Sequence, residues 1–405
     1  MSIRRHRDFV RIWCGQAVSN IGDGVHRIAI LWWARQATGS NLAVVAVALA
    51  ATLPLIAGAP LAGWLVDRVD RRRLMLWADG LRAGVSALLA LLAASGALHL
   101  WMVLVAAVVS SAAAAVFSPA YMASITMLVP EDDRAVANSM VGVNEALAGI
   151  LGPAIGGLLL GLWGTSSALW FDAATFAVSL LFVLLSRVPM PEKAVDHADA
   201  PADDGVFAGI RLLRADRNLR DLAMVAVGLN TFVAPVPVLI VALAAGPLAL
   251  GGTGYGLLEA AIPAGLLLGF VLGPRAMAYR SAALVALVVT SLGIALAGAT
   301  TLAVVAALTF VAAGIGVGIA NTILPTRFQH DVEPSLQGRV FAVLGGLMQV
   351  GRPVGLLLAA PMLAVVGPRG GLAVCGASML AVAFIGRRGV VGPAPAAPAG
   401  VLVMP

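Results

Sequence analysis

The sequence predicts an all-helical integral membrane protein with twelve transmembrane helices in two six-helix halves, and three observations support this fold class. Of the 405 residues, 60% are hydrophobic and only 11% are charged, so most of the surface must lie against lipid. A helical span takes about 20 apolar residues, which leaves room for about a dozen spans. Segments of alternating polarity, which mark an outer-membrane barrel, do not occur, and a helix satisfies its own backbone hydrogen bonds in lipid.

Apolar runs that end at glycine, proline or charged residues are the candidate spans. A long polar stretch with several prolines separates the first six from the last six, and we expect a linker there. The expected organisation is an N-terminal half at 1–186, a cytoplasmic linker at 187–218 with a basic amphipathic helix at 206–217, a C-terminal half at 219–386 and a disordered cytoplasmic tail at 387–405. The predicted spans are 14–36, 42–66, 74–95, 98–121, 137–161, 166–186, 219–243, 255–273, 281–299, 302–325, 339–362 and 370–386.

The distribution of arginine tests this number of spans. Short loops alternate between the two faces of a membrane, and arginine collects in the cytoplasmic ones. With twelve spans, the clusters at 4–11, 68–73 and 211–220 fall on one side, and only Arg35 and Arg369 fall in loops on the other. A span missed in the middle would destroy this asymmetry, so the sequence predicts that both termini are cytoplasmic.

Charge and cysteine content argue against several other classes. The net charge is +6, but the basic residues lie in short clusters between apolar runs, so membrane topology explains them better than nucleic-acid binding. Cys14 and Cys375 lie far apart in apolar segments and indicate neither a disulfide framework nor a metal site. No Gly-x-x-x-x-Gly-Lys-Ser/Thr phosphate loop occurs, so an ATP-driven pump is not expected.

Two sets of six spans with a faint internal repeat are typical of a secondary transporter. A shift of 200 residues aligns Thr126 with Thr326 and Pro153 with Pro353. In such transporters the binding site lies near the bilayer midplane between the two halves. The pattern predicts a membrane-embedded monomer that moves a small molecule.

The most densely charged short turn lies between the second and third spans and reads Gly63-Trp-Leu-Val-Asp67-Arg68-Val-Asp70-Arg71-Arg72-Arg73. It resembles the signature loop of the major facilitator superfamily, Gly-x-Leu-x-Asp-Arg-x-Gly-Arg-Arg, with aspartate in place of the last glycine. Together with FVRIWCGQAVSNIGDGVHRIAI and ANSMVGVNEALAGILGPAIGG, it is similar to a bacterial branch that includes enterobactin exporter-like and macrolide efflux-like proteins. The resemblance implies the major facilitator fold and a multi-pass protein of the bacterial cytoplasmic membrane.

The resemblance also implies a role for this turn as a cytoplasmic gate. A carboxylate at Asp67 would face the N-terminus of the eleventh helix, near Arg339, where a helix dipole favours negative charge. A glycine at the start of the turn would allow close helix contact. The alternative is that the arginines only set the topology. The residues expected to form the gate are Gly63, Asp67, Arg68, Arg71 and Arg72.

The fifth span carries a second element with a family resemblance. Its pattern is similar to Gly-x-x-x-Gly-Pro-x-x-Gly-Gly, which is associated with antiporters of the superfamily and favours export. Glycines at this spacing provide a smooth face for a neighbouring helix, and proline permits a kink. The alternative is that these small residues only pack helices. They are Gly149, Gly152, Pro153, Gly156 and Gly157.

Ionisable side chains inside the spans are candidates for proton coupling or substrate binding, because each costs about 2.5–3.5 kcal/mol on insertion scales. Asn20, Asp23 and Arg27 share one face of the first helix, and Asp23 and Arg27 can pair at i,i+4. Glu145 in the fifth span and Glu259 in the eighth have no opposite charge within a helical turn. A carboxyl group in such a low-dielectric site can bind and release a proton near neutral pH.

Other charged side chains leave alternatives open. Arg352 either faces an anionic substrate or pairs with a carboxylate such as Glu259. Asp172 either takes part in coupling or only caps or hydrogen-bonds near a span end. Asp79 and Arg82 are one turn apart and are expected to form a structural pair. His26 is expected to be a hydrogen-bonded neutral group.

These features lead to one functional hypothesis with alternatives. The chain is expected to be a proton-coupled exporter of a small amphipathic or hydrophobic compound, such as a drug, natural product or siderophore, that works by alternating access. No cofactor is expected beyond the proton gradient as energy source. The alternatives are an importer or facilitator on the same fold, an integral-membrane enzyme built around Glu131, Asp132 and Asp133, and a receptor that does not transport.

Overall fold

The structure of the protein, a computed structural model, describes residues 5–189, 217–332 and 334–391. These ranges form helices joined by short turns and contain no strand, so the all-helical prediction is confirmed. The chain divides into two compact units. The first contains Met1–Ala198 and Ala244–Ala260, and the second contains Asp199–Leu243 and Ala261–Pro405.

The first unit is organised around contacts of its sixth helix with the first and fourth. The fifth helix packs against the second, third and fourth. The helices are α1 (Arg7–Thr38), α2 (Asn41–Ala57), α3 (Ala59–Arg68), α4 (Arg71–Ala94), α5 (Leu100–Leu128) and α6 (Glu131–Leu184).

The second unit has its own set of helices, among which α10 packs on α11 and α13, and α7 packs on α12 and α13. The boundary between the units falls inside α9, so Tyr255 and Glu259 belong to the first unit. The helices are α7 (Arg217–Val233), α8 (Val236–Ala245), α9 (Gly252–Ala276), α10 (Ala282–Ala299), α11 (Ala303–Asp331), α12 (Pro334–Val365), α13 (Gly367–Ile385) and α14 (Arg387–Val390).

Nine helical segments in the described ranges are long and apolar enough to cross a membrane when α7 and α8 count together as one segment, Arg217–Ala245. Ten spans result if α2 and α3 also count as one bent span. Helix α6 is two helices joined at Gly164, where φ is 77° and ψ is −174°. Helix α1 has 32 residues, and polar side chains lower its hydropathy. With α6 divided and α1 included, the described helices are consistent with the twelve predicted spans.

The ends and bends of the helices follow local sequence signals. Gly39 takes a left-handed conformation with φ of 65° and ends α1, and the Ser40 side chain accepts a hydrogen bond from the backbone of α2. Helices α2 and α3 meet at an angle of 49°. At Gly58, between them, a Cβ atom would lie 2.7 Å from the carbonyl oxygen of Pro54. The second predicted span is therefore bent at a glycine and a proline.

Each unit has an apolar core of its own. The core of the first unit includes Phe9, Met75 and Phe117. The core of the second unit includes Leu219 and Phe328. Large apolar side chains elsewhere on the helices are exposed, as expected where a helix faces lipid.

The two polar segments predicted outside the spans are only partly described. The predicted amphipathic helix at 206–217 lies outside the described residues except for Arg217, which begins α7. The chain is helical over Arg387–Val390, and Gly389 and Val390 are buried. The prediction of disorder from residue 387 therefore does not hold for these residues, and residues 392–405 of the predicted tail lie outside the described ranges.

Candidate functional site

An ion pair joins α1 to α4 within the first unit. The guanidinium of Arg82 donates from Nη2 to Oδ1 of Asp23, and the same guanidinium lies 4.2 Å from the centre of the Phe176 ring on α6. The Arg82 side chain is 12% exposed, whereas that of Asp23 is 39% exposed. The expected Asp23–Arg27 pair is therefore wrong, because Asp23 faces α4 and finds an arginine there.

A second cluster surrounds Asp172, which is buried in the second part of α6. Its Oδ2 lies 2.8 Å from Nδ1 of His26 on α1 and accepts a hydrogen bond of 2.5 Å from the hydroxyl of Ser86 on α4. Asp172 therefore forms a hydrogen bond, which is one of the two alternatives that the sequence left open for it. Its partners come from two other helices, so it joins three helices in the interior of the unit.

A third set of hydrogen bonds continues along the same helices. The Ser179 hydroxyl donates to Oδ2 of Asp79 over 2.7 Å, and the Gln16 amide donates to the Ser179 oxygen over 2.9 Å. The expected Asp79–Arg82 ion pair is wrong, because Arg82 binds Asp23 and Asp79 accepts from serine. We call these three sets the polar network: Gln16, Asp23, His26, Asp79, Arg82, Ser86, Asp172 and Ser179.

Glycines in α1 allow α6 to approach closely enough to form the polar network. A Cβ atom at Gly22 would collide with Oγ1 of Thr175 and lie 2.9 Å from Oδ1 of Asp172. A Cβ atom at Gly15 would lie 2.9 Å from Cβ of Phe182. The absence of side chains at these two positions lets the polar residues of α1 reach α6.

Arg27 forms an ion pair with Glu259 near the start of α9, and the nearest N···O distance is 3.7 Å. The Glu259 side chain is 6% exposed and that of Arg27 is 43% exposed. One turn before Glu259, Tyr255 is fully buried and stacks on Trp32 of α1, with ring centres 5.3 Å apart. Within the described residues, Oε1 of Glu259 and the Tyr255 hydroxyl have no hydrogen-bond partner.

The glycine-rich element of α6 makes close contacts on two sides. A Cβ atom at Gly152 would lie 2.7 Å from Cα of Gly24 on α1. A Cβ atom at Gly157 would lie 2.6 Å from Cα of Gly256 on α9. The expectation of close helix contact is met, and the role in antiport remains a prediction. The other members of the element, Gly149, Pro153 and Gly156, lie on the same helix.

The charged turn contacts helix ends within the first unit. Arg71 donates to the carbonyl of Ala123 near the end of α5 over 3.1 Å, and Arg72 donates to the carbonyl of Leu184 at the end of α6 over 2.7 Å. The Leu184 carbonyl is the last of α6 and lacks a partner within that helix, so Arg72 satisfies it, and both arginines complement the negative end of a helix dipole. Arg68 lies 4.6 Å from the ring centre of Trp64, within cation–π distance.

Two expectations about this turn have different outcomes. A Cβ atom at Gly63 would meet no atom within 4 Å, so the expected close helix contact is not found within the described residues. Asp67 is exposed. Its expected partner lies near Arg339, whose side chain is outside the described part of the structure, so the gate role stays a prediction.

Three other predicted site residues lie outside the polar network. Asn20 is half-buried on α1, and Glu145 is exposed on the first part of α6. Arg352 is exposed on α12 of the second unit. The proposed coupling role of Glu145 and the substrate role of Arg352 remain predictions, whereas Glu259, the carboxylate suggested as a partner for Arg352, pairs with Arg27.

The polar network includes residues to which sequence reasoning gave only a structural role. A usable signal was present. Asp79, Arg82 and Ser86 follow steps of three and four, which place them on one face of α4. Asp172 and Ser179 share one face of the second part of α6. Polar faces on two apolar helices predict that the helices meet there.

A cavity of about 330 Å³ lies among α7, α10, α11, α12 and α13 of the second unit. Its walls are mostly apolar, and Asn230, Thr290 and Asn321 supply polar groups. Such a lining suits a molecule with a large apolar surface and a few hydrogen-bonding groups. Among the apolar side chains are Leu229, Phe328, Phe341 and Met348.

A multi-pass helical protein with paired charges and an apolar cavity within its helical units has the features of a membrane transporter. The family model described as Major Facilitator Superfamily matches residues 12–356. The chain therefore belongs to the major facilitator superfamily of transporters, which confirms the family resemblance and argues against the enzyme alternative.

Several curated relatives align over most of the chain. Multidrug efflux pump Tap of Mycobacterium tuberculosis is 31% identical over 369 residues, which cover 84% of this chain and 83% of the relative. Macrolide efflux protein A of Streptococcus pyogenes is 26% identical over 357 residues, which cover 87% of this chain and 88% of the relative.

Solved structures share the fold at low sequence identity. The nucleoside transporter NupG has a TM-score of 0.72 at 11% identity, with 94% of this chain and 98% of that chain covered. A bacterial homologue of the human lysosomal transporter Spinster, in an inward-facing and unoccupied conformation, has a TM-score of 0.65 at 17% identity, with 95% of each chain covered. At these identities the likeness concerns the fold alone.

Proposed function

We propose that this chain is a secondary active exporter of small amphipathic or apolar compounds, driven by the proton gradient, in the bacterial cytoplasmic membrane with both termini in the cytoplasm. The observation that carries the proposal is the polar network, in which Asp23 pairs with Arg82 and His26 pairs with Asp172 among α1, α4 and α6. Ionisable groups within membrane-spanning helices are rare and mark ion or substrate pathways.

The chemistry of the pairs suits proton coupling. A carboxylate that binds an arginine loses most of that attraction when it takes up a proton, since the charge of the pair is then unbalanced. Protonation of Asp23 would therefore loosen the contact between α1 and α4. Release of the proton would restore it, which links proton binding to the arrangement of the two helices.

The second ion pair extends this link to α9. Glu259 is buried and its partner Arg27 is half-exposed, so the carboxylate is shielded from water whereas the guanidinium is only partly shielded. Removing one partner of a buried pair leaves an uncompensated charge, unless a proton neutralises it. Proton uptake by Glu259 would thus weaken the contact between α1 and the start of α9.

Two further observations support export of apolar compounds. The curated relatives are named as macrolide and multidrug efflux proteins. The 330 Å³ cavity of the second unit is mostly apolar, with the amides of Asn230 and Asn321 among its polar groups. Pockets of roughly 300–1,000 Å³ with a few polar groups are the usual size for small-molecule ligands.

Transport by the purified protein in liposomes tests the proposal. We expect uptake of a radiolabelled macrolide or a fluorescent lipophilic cation into liposomes with an acidic interior, for the fraction of protein oriented with its cytoplasmic face outward. Collapse of the pH gradient with a protonophore should stop uptake. Asp23→Asn should abolish gradient-driven uptake, whereas Asp8→Asn should not, because the half-buried Asp8 in the first turn of α1 pairs only with its neighbour Arg11 among the described residues. Uptake that ignores the gradient and survives Asp23→Asn would contradict proton coupling.

A further inference from the structure

A groove of about 490 Å³ lies on the second unit, between the end of α9, the start of α10 and the middle of α11. Apolar side chains form its walls, including Leu272, Val285 and Ile319. Three lining residues at the α9–α10 turn are polar or charged: Arg275, Tyr279 and Ser281. The groove therefore has an apolar trough and a polar end.

The apolar trough is an exposed surface of a membrane protein. Val285 is 55% exposed and Leu272 is 43% exposed, and both lie on helices long and apolar enough to cross a membrane. Gly316 lines the groove, and a Cβ atom there would collide with the carbonyl oxygen of Ala286. Gly316 has no side chain, so α10 and α11 can pack closely at this position. The surface between the two helices therefore forms a groove.

Arg275 is the charged residue among those that line the groove. No aspartate or glutamate occurs between Glu259 and Asp331, a stretch that includes Arg275, Arg280 and Arg327. Arg275 and Arg280 are exposed, and within the described residues neither takes part in an ion pair. Among the residues that line the groove, an anion at this end would meet the arginine and tyrosine donors and no carboxylate.

We propose that this groove binds an anionic phospholipid. Its phosphate would lie against the guanidinium of Arg275 and the hydroxyl of Tyr279, and one acyl chain would follow the trough past Val285. Arginine suits phosphate because it donates charge-assisted hydrogen bonds in a planar fork. Basic pockets between membrane helices are sites of this kind for acidic headgroups. The charge at the polar end favours an anionic lipid over a zwitterionic one.

Lipid retention by the purified full-length protein tests the charge part of the proposal. Delipidated protein is titrated with phosphatidylglycerol or with phosphatidylcholine of the same acyl chains, and bound lipid is counted by native mass spectrometry. One arginine at a membrane surface should favour the anionic lipid about five-fold. Arg275→Gln should remove this preference and Arg275→Lys should keep most of it. The matched control Arg187→Gln, an exposed arginine after α6, should leave it unchanged.

A second pair of variants tests the acyl part. Val285→Trp would fill the trough and should lower retention of both lipids, whereas Leu292→Trp, an exposed position on the same helix away from the groove, should not. Excess inorganic phosphate should not displace bound phosphatidylglycerol, because phosphate lacks the chain. Equal retention of the two lipids by the wild-type protein, an unchanged preference in Arg275→Gln, or full displacement by phosphate would each overturn the proposal. If the wild-type protein prefers phosphatidylglycerol but does not transport, the proposed function is contradicted and the lipid site is not.

Discussion

Arg82 of α4 pairs with Asp23 of α1, while its guanidinium lies over the Phe176 ring of α6. One side chain thus joins three helices of the first unit. The pair is more buried on the arginine side than on the aspartate side. Because the two side chains differ in burial, substitutions of Asp23 and of Arg82 should change the stability of the protein by different amounts.

Substitution of either partner should destabilise the protein in a coupled way. We expect Asp23→Asn and Arg82→Gln each to lower the melting temperature in detergent, with Arg82→Gln the more harmful because it also removes the contact with Phe176. Contacting residues usually show a coupling of about 0.5–3 kcal/mol, so the double variant should cost less than the sum of the two single ones. Strictly additive losses would show that the two side chains act independently.

The Asp172 cluster predicts a similar pattern at a fully buried site. Asp172→Asn leaves His26 and Ser86 with an altered partner, and we expect a loss of about 1–3 kcal/mol, the usual cost of disturbing a buried polar group. Ser86→Ala should cost less, because His26 still contacts the carboxylate. Thermal unfolding of the three variants, with His26→Gln as the third, measures these differences. A Ser86→Ala variant less stable than Asp172→Asn would contradict the assigned geometry.

The Arg27–Glu259 pair should respond unequally to loss of each partner. Arg27 is 43% exposed and can be solvated alone, whereas Glu259 is 6% exposed and cannot. Arg27→Gln should therefore lower the melting temperature more than Glu259→Gln, since it leaves a buried carboxylate unpaired. Raising the pH should widen the difference, because protonation of the unpaired carboxyl relieves the cost at low pH. Equal losses at every pH would argue against the pair.

The contact between α6 and α9 predicts a steric effect at Gly157. Gly157→Ala places a Cβ atom 2.6 Å from the Gly256 backbone, so the helices must separate. Overpacking of this kind costs about 1–3 kcal/mol. The matched control is Gly142→Ala on the same helix, where a Cβ would meet nothing within 4 Å. Alanine there should stabilise the helix by about 0.5–1 kcal/mol. Thermal unfolding should therefore show a lower melting temperature for Gly157→Ala and a higher one for Gly142→Ala.

The charged turn predicts different effects for its two aspartates. Asp70 accepts a hydrogen bond from the Arg73 backbone and caps α4, so Asp70→Ala should cost about 0.5–2 kcal/mol of stability. Asp67 is exposed, and Asp67→Asn should reduce transport while insertion and melting temperature stay at wild-type values. Normal transport by Asp67→Asn would show that Asp67 has no gate role and that the turn only sets the membrane topology.

The sequence predicted well where physical constraints are local. Alternation of apolar runs with arginine-rich turns predicted the spans, because lipid admits only segments that satisfy their own backbone. The glycine spacing of α6 predicted close helix contact, and it is found at Gly152 and Gly157. Both signals depend on periodicity along one helix.

Pairing of charges could not be predicted in the same way. Spacing along one helix favoured a pair of Asp23 with Arg27 and a pair of Asp79 with Arg82. In the structure Asp23 binds Arg82 instead. Asp79 accepts a hydrogen bond from Ser179. In lipid a charged side chain turns toward a partner on another helix, and that choice depends on how the helices rotate and cross.

By itself, the sequence determined the helical class, the positions of the spans and the family of this transporter, because hydropathy, proline, glycine and arginine act over short stretches of chain. Only the tertiary structure decided which charges meet. It placed Glu259 beside Arg27 and Asp172 beside His26, across 232 and 146 residues of sequence (259 − 27 and 172 − 26). Contacts at such separations arise from helix packing, which no local pattern encodes.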